Sequence, residues 1–371
     1  MSKIYFRNSA NWSKVFALID DEKIELSFCD ADGNFVCDFD NTQNLKIHFE
    51  NELGEKTGIV YPGAISLGVD YKKNDKMGKS LTYLFANNIE NTGRVDNYEL
   101  LDECNLAHRE DKSKKISVFI PSTYDGVTPH DILYFFDAQN LYGSAGKYTD
   151  NGDPYGSWQL DVIACALKNQ FDKNIIIVGI DNADKYRDKE LFMNPCDFGD
   201  LAPLATALPD EDYSVGYLDY IDDFIKQTLH PFIIEKYCVK EDNIGIGGAS
   251  MGGIASFYCG LREPGFYNYV LSYSPAFGLY EMSAFEDWFS NKCFTNYTEE
   301  LPYIHIYCGE GDPLERLLIG SSRDMKKALM KYGYSEEKIF ETFDIEKPHN
   351  EESWRQILGK SFTELLKIQT E

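Results

Sequence analysis

From about residue 95 onward, apolar runs of strand length alternate with stretches of helical periodicity, and this alternation constrains the fold more than any other feature. "DILYFFDA" precedes "SWQLDVIACALKN", where Leu160, Ile163, Ala164 and Leu167 recur at the i, i+3, i+4, i+7 spacing of one helix face. "NIIIVGIDN", "NIGIGG", "YVLSYSP", "PYIHIYCG" and "KIFETFD" read as further strands, and "NYELLDECNLAH" and "KISVFIP" as two earlier ones. Helices are expected in "GYLDYIDDFIKQTLHPFIIEKY", "MGGIASFYCGL" and "ESWRQILGKSFTELLK". Strands apolar on both faces and separated by helices require a mainly parallel sheet covered on both sides.

The first 70 residues have a different texture. "KIYFRN", "KVFALI", "KIELSFCD", "GNFVCDF" and "LKIHFEN" are short alternating runs divided by turns such as "DADGN". They predict a small all-β sandwich. The polar stretch "DYKKNDKMGKS" (70–80) reads as a linker. The expected organisation is a sandwich over 1–75, a transition over 76–94 and an α/β domain over 95–371. A chain of 371 residues is long enough for that pair of domains.

Charge and composition exclude several functions. The net charge of −25 repels nucleic acid and anionic membrane surfaces, and favours a neutral or cationic small partner. No apolar run approaches the roughly 20 residues that span a bilayer. The opening "MSKIYFRNSANW" has no apolar core of a secretory signal, so a cytoplasmic location is expected. The nine cysteines form no CxxC pair and the six histidines no HxxxH or HExxH, so reduced thiols and no metal site are expected.

The chemistry concentrates in Gly248-Ala249-Ser250-Met251-Gly252, a G-x-S-x-G pattern between the strand "NIGIGG" and a helix. A sharp strand-to-helix turn of this kind exposes the serine hydroxyl, and the helix that follows aims backbone N–H groups at a developing oxyanion. The nucleophile needs a base, and in this architecture the order is Ser, then Asp or Glu, then His. Two histidines follow Ser250. His305 lies inside the strand pattern "YIHIY"; His349, in "EKPHNEESW", falls on a loop after the last strand and is the expected base. In "YIHIYCGEGDPLE" Glu310 and Asp312 both stand just past a strand, and spacing alone separates them weakly. "LYFFDAQNLYG" ends an earlier strand at Asp137 and offers the Gln139 amide as a second oxyanion donor beside that of Met251.

These residues resemble a known family. "LYFFDAQNLY", "IIIVGIDN", "FIKQTLHPFIIEKY", "GASMGG", "FYNYVLSYSP", "GEGD" and "HNEESW" stand in the order found in the putative esterases. That family comprises α/β-hydrolases related to esterase D and to the feruloyl and enterochelin esterases. The resemblance covers residues 95–368. It implies an α/β-hydrolase doubly wound, mostly parallel sheet preceded by the small all-β sandwich. It also implies Ser250 as nucleophile, His349 as base, and Asp312 as the triad acid through the G-x-x-D pattern at Gly309. Gln139 and Met251 supply the oxyanion amides, with Ala138 where the family usually carries glycine.

The front segment "KIYFRNSANWSKVFALIDD" resembles the starch-binding sandwich modules of bacterial amylases. Leu18 and Asp20 stand where those modules usually carry an aromatic pair, which leaves Tyr5 and Trp12 as the residues for stacking on sugar. The resemblances together imply a serine carboxylic-ester hydrolase that needs no cofactor and acts on a carbohydrate-linked ester of acetyl or feruloyl type. A siderophore trilactone esterase and a non-enzymatic glycan-binding protein are the competing expectations. "LPDEDYSVGYLDY" (208–220) is read as a solvated loop with a pocket-lining role as the alternative, and Trp158 as a core anchor.

Overall fold

The computed structural model describes the chain apart from residues 1, 21, 41–44, 75–76, 102–112, 144–153, 183–185, 194–215, 293, 298–299 and 368–371. The front of the chain forms β1 (Ser2–Arg7), β2 (Val15–Ile19), β3 (Glu22–Leu26), β4 (Phe35–Phe39), β5 (Ile47–Glu50), β6 (Leu67–Asn74) and β7 (Lys79–Phe85). They make two sheets, ordered β4-β1-β6-β7 and β3-β2-β5. Alternation drives this arrangement. Ile4 and Phe6 of β1 point inward with Leu67 and Val69 of β6, while Val15, Ala17, Ile47 and Phe49 answer from the second sheet. The Phe6 and Phe49 rings stack 4.7 Å apart across the layer.

The linker expected at 70–80 is instead a strand pair. β6 and β7 run antiparallel, with Asp70 opposite Tyr83 and Asn74 opposite Lys79. The stretch looks polar because the outer face of the sheet carries its charges; the Lys72 ammonium, for example, sits 4.8 Å over the Tyr83 ring. The front module therefore extends to Phe85, and the next strand already belongs to the large sheet.

That sheet has eight strands: β8 (Gly93–Leu101), β9 (Ser113–Pro121), β10 (His130–Phe136), β11 (Ile175–Ile180), β12 (Val239–Ala249), β13 (Tyr269–Tyr273), β14 (Tyr303–Gly309) and β15 (Ile339–Asp344). Their order is β15-β14-β13-β12-β10-β11-β9-β8. The six from β15 to β11 are parallel, and β9 and β8 add an antiparallel edge. The chain leaves β10 to one side for β11 and returns on the other for β12, so the order switches between β10 and β12. Open α/β sheets form their ligand crevices at such a point, beyond the carboxyl ends of the strands.

The helices are α1 (Leu160–Phe171), α2 (Arg187–Leu191), α3 (Leu218–Phe224), α4 (His230–Lys236), α5 (Met251–Arg262), α6 (Met282–Lys292), α7 (Pro313–Lys331), α8 (Glu351–Arg355) and α9 (Leu358–Leu365). The single helix expected over 216–237 is α3 and α4 joined by a π turn, Ile225–Leu229. Pro231, which has no N–H for the carbonyl four residues back, stands two residues past that turn. The expected last helix is also broken, between α8 and α9. There the Tyr61 backbone of the front module enters the ladder: its N–H donates to Gln356 O (2.8 Å) and its C=O accepts from Lys360 N (2.9 Å). Those two groups are the i, i+4 partners that an unbroken helix would join.

The module is thus part of one body with the large sheet. One apolar core runs without a break from Phe6, Phe49 and Ile65 into Leu133, Tyr273, Trp158 and Phe362. Polar contacts reinforce the seam: Ala64 N donates to Thr363 Oγ1 (2.9 Å), and the Gln170 amide pairs with both the N–H (2.6 Å) and the C=O (2.8 Å) of Ser66. Among the described residues, no helix is long and apolar enough to cross a membrane.

Candidate active site

Ser250 lies between the last residue of β12 and the first of α5, with φ 57° and ψ −119°. A non-glycine residue avoids this region, at a cost of order 1–3 kcal/mol, and persists there only when its surroundings hold it. Its N–H donates to Tyr273 O (2.9 Å), and its C=O accepts from Gly253 (3.0 Å), Ile254 (3.2 Å) and Ala276 (3.2 Å). The flanking glycines are required by contact. A Cβ on Gly248 would stand 2.5 Å from Gly252 O, and one on Gly252 would meet Asp137 and Phe136 at 3.1 Å. The Ser250 hydroxyl does not cap the helix it starts. The first N–H groups of α5, led by Met251, have no partner within the helix.

His349 follows β15 and stands just before α8. Its ring Nδ1 lies 3.1 Å from Glu315 Oε1. Its backbone N–H donates to Asp312 Oδ2 (2.6 Å). The carboxylate beside the imidazole is therefore Glu315, and the expectation for Asp312 is corrected. Asp312 is the N-cap of α7; its Oδ1 accepts from Glu315 N (2.8 Å) while its other oxygen fixes the His349 backbone. A carboxylate shared between two main-chain amides is turned away from the ring. Glu315, one helical turn in, is wholly buried and also accepts from Ser274 Oγ (2.5 Å) and Gly309 N (3.0 Å). Glu310 pairs with Arg323 on the partly exposed rim. The signal for Glu315 was present in Asp312-Pro-Leu-Glu315, a helix start of capping-box spacing with Glu at the third position.

Gln139 sits in the 3-10 turn Ala138–Asn140, which follows β10 through Asp137 at φ 58°, ψ 57°. Arg187 of α2 clamps the Asp137 carboxylate, Nε to Oδ1 at 2.6 Å and Nη2 to Oδ2 at 2.7 Å. Burial works against the Arg187 charge, but Asp137 more than offsets it and raises the guanidinium above its ordinary range. A cavity of about 240 Å³ brings the pieces together. Ser250, His349, Gln139 and Asn140 line it with Arg187, Glu351, Trp158 and Trp354. Trp354, five residues after His349, packs edge-on to the imidazole at 5.1 Å and stacks on Trp158 at 5.1 Å. Trp158 is 2% exposed, so it is the expected core anchor and a wall of the cavity as well. Sequence reading also missed Glu351, whose Oε1 accepts from Asn140 Nδ2 (2.7 Å) across that cavity.

The remaining candidates lie elsewhere. His305 is a strand residue held by Thr342 Oγ1 at 2.9 Å, and burial keeps it well below the ordinary imidazole range. Trp12 is corrected as a sugar platform. It is 7% exposed, stacks on Phe6 at 5.2 Å and donates from Nε1 to Glu55 (3.1 Å). Tyr5 is half-buried on the outer face of β1, between Val36 and Gly68. Of the stretch 208–220, residues 208–215 lie outside the described residues; Tyr217 and Tyr220 pack 6.0 Å apart at the head of α3.

Fold and site together define an enzyme class built on a switch-point crevice with a serine turn and a histidine–carboxylate pair. Residues 108–361 match the putative esterase family; the chain belongs to that family and is an ester hydrolase. The structure is similar to the enterobactin esterase FES of Shigella flexneri, at 12% identity and a TM-score of 0.52, over 96% of this chain and 89% of that one. It is also similar to the siderophore hydrolase EstA of Aspergillus nidulans (14% identity, TM-score 0.52, 73% of this chain and 92% of that one). A ferulic acid esterase aligns at 15% identity and a TM-score of 0.51, over 74% of this chain and 99% of that one. No curated protein sequence matches the chain significantly.

Proposed function

We propose that this chain is a serine carboxylic-ester hydrolase of α/β-hydrolase design that works through an acyl-enzyme. The observation that carries the reading is the strained turn at Ser250, which shares a cavity with a histidine whose far nitrogen meets a buried carboxylate. His349 takes the Ser250 proton as the hydroxyl attacks the ester carbonyl. Glu315 holds the ring tautomer and stabilises the imidazolium. The Met251 and Gln139 amides receive the oxyanion, each worth about 2.7–4 kcal/mol of transition-state stabilisation. The tetrahedral intermediate collapses with cleavage of the ester C–O bond as His349 returns the proton to the departing alcohol. Water then enters in its place and releases the acid and the free serine by the same steps.

The substrate reading that fits is an uncharged carbohydrate-linked ester of acetyl or feruloyl type. Arg187 is already paired with Asp137, and Glu351 adds negative charge to the cavity wall, so an anionic substrate gains little there. A siderophore trilactone is the second reading, supported by the likeness to FES across the front module as well as the large sheet. A purely glycan-binding role loses support with Trp12 buried. Ser250→Ala is expected to stay folded and to lose about 10⁴-fold or more of its turnover on a p-nitrophenyl acyl ester. Turnover close to wild type would overturn the mechanism. Rates on feruloyl-oligosaccharide and on iron–enterochelin separate the two substrates.

A further inference from the structure

We propose that the outer edge of β7 is the template that sets the oxyanion turn against the base loop, with Gln159 and Glu352 as positioning residues. The proposal rests on the roles given above to Ser250 and His349. β7 is the last strand of its sheet, and alternate residues of such an edge present N–H and C=O outward. Side chains replace the missing strand. Leu84 donates to Gln159 Oε1 (2.6 Å) and accepts from Gln159 Nε2 (2.7 Å). Thr82 donates to Glu352 Oε1 (2.8 Å) and accepts from Arg355 Nε (2.7 Å).

Each attachment leads to one side of the cavity. Gln159 is held at φ 57°, and the preceding Trp158 donates its N–H to Asn140 O (2.8 Å), the end of the oxyanion turn. Glu352 and Arg355 lie on α8, directly after His349, with Trp354 between them. The Trp158–Trp354 stack and the Asn140–Glu351 hydrogen bond then close a ring around the crevice. The three-residue segment 82–84 of the front module thus touches the supports of both catalytic loops through Thr82 and Leu84, and a misplacement of about 1 Å between such loops can cost 10²-fold in rate.

The test compares Gln159→Ala, Glu352→Ala and Glu352→Gln in the full chain. It measures kcat per serine titrated with a fluorophosphonate, KM, Tm, and amide hydrogen exchange at 138–140 and 349–355. The template role expects both alanine variants to lose about 10- to 100-fold in kcat per titrated site with KM little changed, because the lost alignment matters in the transition state. Glu352→Gln, which keeps the acceptor for Thr82, is expected to retain wild-type kcat. Exchange is expected to rise in both loops in each alanine variant. Wild-type kcat per titrated site with only Tm lowered, or exchange that rises in one loop alone, overturns the proposal and leaves the side chains as an edge cover. Should the wild type neither label nor turn over esters, the hydrolase reading fails, while the exchange result still decides the template.

Discussion

Glu315 and Asp312 show how much a side chain's reach decides. Both stand at the head of α7 and both touch His349, one through the ring and the other through the main chain. Their replacement separates the roles. Glu315→Gln keeps the shape but cannot stabilise an imidazolium, and a drop of about 10³–10⁴ in kcat is expected. Asp312→Asn remains a good helix cap, and is expected to stay within about tenfold of wild type while losing up to about 1 kcal/mol of stability. Steady-state rates and denaturant melts of the pair check this; a larger kcat loss in Asp312→Asn would reverse the assignment. That Ser250 and His349 meet at one cavity was legible in the sequence because a strand end fixes where their backbones go. The carboxylate beside the ring was not, since Glu310, Asp312 and Glu315 all follow the same strand end closely and only packing tells which one faces His349.

At the scale of elements, the strands and most helices follow from periodicity, and the failures share one cause. The β6–β7 pair was hidden because its charged side chains line an outer face, which a polar count cannot tell from a linker. The last helix reads as continuous because the Tyr61 backbone that interrupts it comes from 295 positions away in the chain, the difference between 356 and 61. The resemblance to starch-binding modules offers Trp12 as a platform, but a likeness in sequence carries no sign of which way the ring points. Its burial between Phe6 and Glu55 sets an expectation: Trp12→Ala costs about 3–5 kcal/mol of stability, as for other buried tryptophans. Oligosaccharide affinity of the folded variant, measured by calorimetry, is expected to match the wild type. A stable variant with selectively lost sugar binding would restore the platform reading.

At the scale of the whole molecule, the seam between the front module and the large sheet contains a buried cation. Lys347, two residues before His349, donates from Nζ to Ile59 O of the module and to the Gln356 side chain. Burial pushes its pKa down from 10.5 to about 8, against the pull of Asp344. The folded state therefore releases this proton before the unfolded chain does. Between about pH 8 and 10.5 the unfolded chain binds more protons at this site, so the lysine's contribution to stability rises with pH; below 8 it is flat. Denaturant unfolding of wild type and Lys347→Met is expected to show a stability difference that moves in favour of wild type from pH 8 to 10, by at most about 1.4 kcal/mol per pH unit. A constant difference over that range would show that the ammonium is not buried at the seam.

The same seam imposes an order on biosynthesis. Tyr61 bonds to Asp344 across 283 positions and Ala64 to Thr363 across 299. At about 5–20 residues per second, a ribosome needs roughly 15 to 60 s to deliver those partners after the module has emerged. For that interval Tyr61 and Ile65, which end in the shared core, face solvent on a nascent chain. The β7 edge stands open as well, because Glu352 and Arg355 are made 270 and 273 positions after Thr82. An apolar face beside an unpaired strand edge is the surface that holding chaperones bind and that neighbouring nascent chains can join. The contact that completes the crevice is thus also the one whose lateness exposes the chain.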